Sequence, residues 1–167
     1  MQIRPATPAD VPAVLPMVAQ ICALHEVWDA AKYGFLPNPA ERYRRCLAQQ
    51  AASDRSIFLV AEREPGDRDQ VVELVAFLVA TIEAEIPIYR LQAFGFIHDL
   101  SVEPTHPQLG LGRPLVERAL QAFRDKGIAQ VRRETAVANE AARRLFQSCG
   151  FRMSTIELLA DLSHKQN

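Results

Sequence analysis

The chain has 167 residues, 49% of them hydrophobic and 23% charged, long enough to bury about two-thirds of its unfolded surface in one core without a disulfide or metal staple. Nineteen Lys and Arg against twenty Asp and Glu leave a net charge of −1. That excludes a global basic field for nucleic acid or anionic lipid, and the composition excludes disorder, collagen and coiled coil. The three cysteines, Cys22, Cys46 and Cys149, form no C-x-x-C pair. They point away from a disulfide framework or zinc site and toward a reducing, cytoplasmic setting. The first residues carry no apolar leader core and no stretch is read as spanning a bilayer, so no membrane partner is expected.

In chain order, Gln2 to Pro5 reads as a short strand. Thr7-Pro8-Ala9-Asp10 then reads as a helix start: hydroxyl cap, proline at the first position, carboxylate three residues after the cap. Val11, Val14, Leu15, Val18, Ile21 and Cys22 follow at helical spacing to about His25, with Pro16 an internal conflict that predicts a kink. Residues 26–38, with Trp28, Tyr33 and Phe35, read as a loop or broken helix of the kind that lines clefts. A second helix is predicted over Pro39 to Ala52, strands over Ile57 to Glu62 and Val71 to Ile82, and a turn at Pro65-Gly66-Asp67. A strand over Ala93 to Val102 leads through a glycine-containing loop to a helix over Leu111 to Lys126, stopped by Gly127. A strand over Ile128 to Ala136, a helix over Asn139 to Cys149 and a final strand over Phe151 to Leu162 complete one mixed domain, residues 1–167, without repeat or linker.

The segment Asp99-Leu100-Ser101-Val102 empties into Gln108-Leu109-Gly110-Leu111-Gly112-Arg113, where a helix begins inside a turn with two glycines. Glycines permit close backbone approach, and the first helical turn offers amides without intrahelical partners plus the positive end of the dipole. Such a turn can hold a pyrophosphate, with Arg113 adding charge from the side. A plain strand-to-helix turn fits the glycines alone equally well. The pattern is neither a Walker loop nor a dinucleotide fingerprint, since position 115 is Leu.

Leu100, Val102, Pro104, Gly110 and Gly112, followed by Asn139, Ala142, Phe146, Gly150 and Phe151, match in order and spacing two motif blocks of the GNAT superfamily of acetyl-CoA-dependent N-acetyltransferases, which this sequence resembles. The opening strand with Thr7 and Asp10 resembles the family's N-terminus. The resemblance implies an α/β (α+β) fold: a mixed, mostly antiparallel central sheet flanked by helices, with two strands splayed where acetyl-CoA binds. It implies that the backbone of Leu100, Ser101 and Val102 pairs with the pantetheine arm, that the amides from Leu109 to Arg113 hold the pyrophosphate, and that Asn139 bonds the arm; an N-cap role also fits Asn139. It implies a primary amine acceptor, on a small molecule or a protein, and a homodimer as one possibility. Two departures stand out. The family's Gln or Arg position falls on Pro107, with Gln108 one residue late, and the position often held by a Tyr acid is Phe146, which has no proton to give; packing beside Leu145 is its expected role.

An attacking alkylamine is protonated near neutral pH and needs a base. Alternation from residue 94 puts Phe94, Phe96, His98, Leu100 and Val102 on one face, read as core, and Gly95, Ile97, Asp99 and Ser101 on the other. Asp99 is therefore the candidate base, through water, against the alternative of a solvated carboxylate, and His98 reads as a hydrogen-bonded core histidine. Tyr89 is the candidate acid for the leaving thiolate, Cys149 reads as packing, and no metal set is visible. Glu26, Asp29, Glu83 and Glu85 either favour a cationic amine or form an ordinary charged surface. Two rival readings are a non-catalytic acyl-CoA-binding module and a domain for another nucleotide.

Overall fold

Four strands run antiparallel and a fifth joins them parallel, in the order β1 (Gln2–Pro5), β2 (Ser56–Arg63), β3 (Glu73–Ala84), β4 (Ala93–Val102) and β5 (Val131–Arg133). The computed structural model describes residues 1–63, 73–103 and 110–162. The turn expected at 65–67, the first residues of the expected 71–82 strand, and Pro104, Pro107, Gln108 and Leu109 lie outside the described residues.

The sheet separates two apolar clusters. Ile57, Leu59, Leu78, Ala80 and Ile97 meet α3 (Gly112–Asp125) and α4 (Glu140–Ser148) through Leu115, Ala119, Phe123 and Phe146. Phe58, Val60, Phe77 and Val79 meet α1 (Val11–Trp28) and α2 (Pro39–Ala52) through Val14, Met17, Val18 and Leu47. With both faces covered, the centre of β3 has no exposed side chain from Val75 to Thr81, which is why it reads as a continuous apolar run.

The Thr7–Asp10 start forms as a short 3-10 turn, Pro8–Asp10, leading into α1. The Asp10 carboxylate accepts from the Thr7 amide at 2.7 Å and from two Arg4 nitrogens at 2.8 and 2.7 Å. This pairing keeps the Asp10 carboxyl well below the usual carboxylate range, chiefly through the Arg4 hydrogen bond. Helix α1 continues through Pro16 and ends at Trp28, three residues beyond His25. Contrary to expectation, Pro8–Trp28 is 21 residues long and contains an 18-residue window of mean hydropathy 1.4, long and apolar enough by those measures to cross a bilayer. Its Val11, Val14, Leu15, Met17 and Val18 are buried in the second cluster.

Two strand expectations are corrected. The 128–136 strand is three residues long, and Phe151 to Leu162 forms no strand. Met153, Ile156, Leu158 and Leu162 are instead exposed. An apolar segment becomes a strand only beside a partner whose amides and carbonyls it can share, and β5 offers an edge of three residues.

Candidate active site

Strand β4 pairs with β5 only from Gly95 to Ile97, opposite Val131 to Arg133. Beyond Ile97 the two chains part. Because the Glu103 amide bonds Val75 on β3, the intervening parity aims the main-chain groups of Leu100 and Val102 at the free edge. Arg133 stands in the angle of this fork, its Nη1 donating to the carbonyls of Ile97, at 3.0 Å, and His98.

At the far end of that edge lies a cleft of about 560 Å³ lined by Val102, Glu103, Gly110, Leu111, Gly112, Arg113 and Leu145. Gly110 has φ 59°, a left-handed value that costs other residues about 1–2 kcal/mol. Gly112 allows α3 to approach α4, since a Cβ there would stand 2.8 Å from Leu145 Cδ2. Pro114 occupies the first turn of α3, where its missing N–H is no loss. The Leu115 amide bonds Leu111; among the described residues those of Gly112 and Arg113 have no acceptor and stand as donors at the helix start. The Arg113 side chain pairs along the helix with Glu117 at 3.2 Å. Asn139 caps α4, its Oδ1 accepting from the Ala142 amide at 3.1 Å.

A bulge rearranges the faces of β4. Val79 faces Asp99 while Ala80 faces Ile97, leaving His98 as the extra residue. Strict alternation is therefore wrong. Ile97, Leu100 and Val102 share the α3/α4 cluster, whereas Asp99 and His98 both face the α1/α2 side. Asp99 accepts from the Tyr43 hydroxyl of α2 at 3.1 Å. His98 Nε2 lies 2.6 Å from Thr81 Oγ1 and 3.7 Å from Glu83, so it is a half-exposed wall residue and not part of the core. Burial, and then the Asp99 carboxylate, raise the Tyr43 hydroxyl far above its ordinary value, so it stays a donor to Asp99. Tyr43 escaped the sequence reading, although Ala40, Tyr43, Leu47 and Ala51 fall on one face of α2 and belong to the buried cluster.

On this side His25 packs edge-on against Trp28 and Tyr33, ring centroids 5.1 and 4.5 Å apart. Several acidic candidates are internally engaged: Glu26 with the Phe35 amide, Asp29 with the Lys32 amide, and Glu85 with Arg132. Among the described residues no group of three or more His, Cys, Asp or Glu is placed to hold a metal.

Residues 22–151 match the family model described as the Acetyltransferase (GNAT) family. The chain belongs to that family. It is 31% identical over 147 residues to N-acetyltransferase family 8 member 3 of Rattus norvegicus, covering 83% of this chain and 58% of the relative. The chain thus spans little more than half the length of that curated relative. A tetramutant of the BH1408 protein from Bacillus halodurans shares the fold with a TM-score of 0.76, 22% identity, and coverage of 96% of this chain and 100% of that one. A predicted acetyltransferase with acetyl-CoA from Clostridium acetobutylicum superposes with a TM-score of 0.72 at 17% identity, over 99% of each chain.

Phe146 is buried, packs against Phe151 with ring centroids 5.1 Å apart, and has the Arg133 guanidinium carbon 5.8 Å from its centroid. Tyr89 lies in the exposed turn between β3 and β4. The six steps from Ala93 to Asp99 alone span about 20 Å of extended strand, so the structure does not bring Tyr89 to Asp99. Cys22, Cys46 and Cys149 are free thiols.

Proposed function

We propose that this domain moves an acetyl group from acetyl-CoA to a primary amine by direct attack, with Asp99 as the base. One observation carries the reading: the free edge of β4 runs from an amide-lined cleft at Gly110 to Arg113 to a fork whose opposite face presents a carboxylate fixed by Tyr43. In this reading the amides of Gly110, Leu111, Gly112 and Arg113 hold the pyrophosphate, with Gln108 and Leu109 preceding them. The free groups of Leu100 and Val102 pair with the pantetheine arm, Ser101 lies between them, Asn139 approaches it from α4, and Phe146 supplies an apolar wall. The relative from Clostridium acetobutylicum, described with acetyl-CoA, supports the choice of co-substrate.

Asp99 takes the amine proton directly or through one water, while Tyr43 holds the carboxylate in place. A thiol leaving group with a pKa of about 8.5 departs near neutral pH without a strong acid, so neither Phe146 nor the remote Tyr89 blocks the reaction. The acceptor enters from the α1/α2 side, past Trp28, Tyr33 and His98. Three free thiols support a cytoplasmic setting, and the exposed Met153, Ile156 and Leu158 support self-association as a homodimer.

An amine panel with acetyl-CoA tests the reading through release of free thiol, with coenzyme A affinity measured in parallel by calorimetry. Asp99→Asn is expected to lose at least about 100-fold in turnover, the scale of a general base, with cofactor affinity retained. Normal turnover in Asp99→Asn removes the base assignment. Phe146 favours one other reading, an acyl-CoA-binding module without catalysis; tight binding with no turnover on any amine would establish it.

A further inference from the structure

Among the described residues two buried side-chain polar atoms lack a hydrogen-bond partner, Arg133 Nε and Thr135 Oγ1. They sit two positions apart, at the last paired residue of β5 and just beyond it. Buried donors are nearly always satisfied, so a pair of orphans at one place calls for an acceptor. Arg133 is tied at one end: its Nη1 bonds Ile97 and His98, the carbonyls where β4 leaves β5. Its guanidinium carbon stands 5.8 Å from the Phe146 ring centroid on the α4 side, and the Asp99 carboxylate acts on it electrostatically. It therefore stands at the fork, within electrostatic reach of Asp99. Phe146 gives it a ring and no acceptor.

We propose that Arg133 Nε and Thr135 Oγ1 are the donors for the carbonyl oxygen of the acyl thioester, which makes Arg133 a catalytic residue. The inference rests on the acetyl-transfer reading above. From Val102 to Ile97 the free edge runs five steps of strand, about 17 Å, and an arm laid along it from the cleft ends at Arg133. An arginine is donor-only and stays charged even where burial lowers its pKa, so it suits an oxygen that gains negative charge. As the amine nitrogen adds to the carbonyl carbon, the C=O electron pair moves onto the oxygen facing Arg133 and Thr135. The C=O bond then re-forms, the C–S bond breaks with its pair leaving on sulfur, and the ammonium proton passes to Asp99. Such donors act by being in place before the charge develops.

The test compares coenzyme A with acetyl-CoA by calorimetry, without an amine, in the intact protein and in Arg133→Met, Arg133→Lys and Thr135→Val, each checked for fold by circular dichroism. The natural chain is expected to bind acetyl-CoA more tightly than coenzyme A. Arg133→Met should lose that preference by about tenfold, as for a hydrogen bond from a charged donor, with coenzyme A affinity held within about twofold. Arg133→Lys and Thr135→Val should lose part of it, and Arg133→Met should cut turnover by about 100-fold on any amine accepted. An unchanged preference in folded Arg133→Met overturns the proposal. If that variant does not fold, an unchanged preference in both Arg133→Lys and Thr135→Val overturns it equally. A natural chain that binds both molecules alike removes this proposal and leaves the transferase reading standing. One that binds neither removes that reading, and this one with it.

Discussion

Replacing Gly95 with alanine places a methyl group against the core at the point where β4 meets β5. A Cβ built there stands 2.7 Å from both Cε1 and Cζ of Phe123 and 2.9 Å from Cδ1, where ordinary contact begins at 3.4 Å. Phe123 is fully buried, so the ring must retreat about 0.7 Å into packed neighbours or β4 must bow outward. Overpacking of a filled core costs about 1–3 kcal/mol, and with three ring carbons in the way we expect about 3 kcal/mol. In urea unfolding with a slope of about 1.5–2 kcal/mol/M, the midpoint should fall by about 1.5–2 M at unchanged slope. Phe123→Leu makes room at the same spot at a cost of about 2 kcal/mol. In that background Gly95→Ala should cost under about 1 kcal/mol, a coupling of about 2 kcal/mol. A loss below about 0.5 kcal/mol in the single variant, or strict additivity in the double, would refute the packing argument.

Gly112→Val drives a side chain into Leu145, 2.8 Å from the ideal Cβ. It should push that residue into the cleft and weaken coenzyme A binding about tenfold by calorimetry, an effect of about 1.4 kcal/mol. Tyr43→Phe removes the donor to Asp99. It should destabilise by about 1.5 kcal/mol, the value of a hydrogen bond to a charged group, and lower turnover about tenfold, an effect absent if Asp99 has no part in proton transfer. Asp10 is held low by Arg4, so the unfolded chain takes up its proton first. Its contribution should be complete above about pH 4, the ordinary carboxylate value, and shrink as pH falls below it. Asp10→Asn should cost about 1–2 kcal/mol at pH 7 by chemical denaturation and flatten the stability profile below pH 4.

Helices α2, α3 and α4 were legible because each carries local punctuation: Pro39 at one start, Gly127 just after α3, and Asn139 with Glu140 and Gly150 around α4. The strand-to-helix turn from Gly110 to Arg113 was legible too, because its residues are consecutive, whereas the cleft it borders also takes Val102, Glu103 and Leu145. What stayed hidden depends on distant partners. Tyr43 belongs to Asp99, 56 positions away, and nothing near either residue announces the other. The Arg133 contact with Ile97 and His98 likewise arises only where two strands part. The segment from Phe151 to Leu162 was wrongly read as a final strand, since local composition does not supply a neighbour to pair with.

The extra residue at His98 has a consequence for how the sheet tolerates change. On either side of it the core-facing sequence keeps step, Gly95 and Ile97 before and Leu100 and Val102 after. One amino acid is thus accommodated in mid-strand without displacing a single apolar side chain from its layer. Removing it would shorten the central ribbon by one link and leave both hydrophobic halves in phase. Chain length at the heart of this domain is adjustable there, on the side of the sheet covered by α1 and α2.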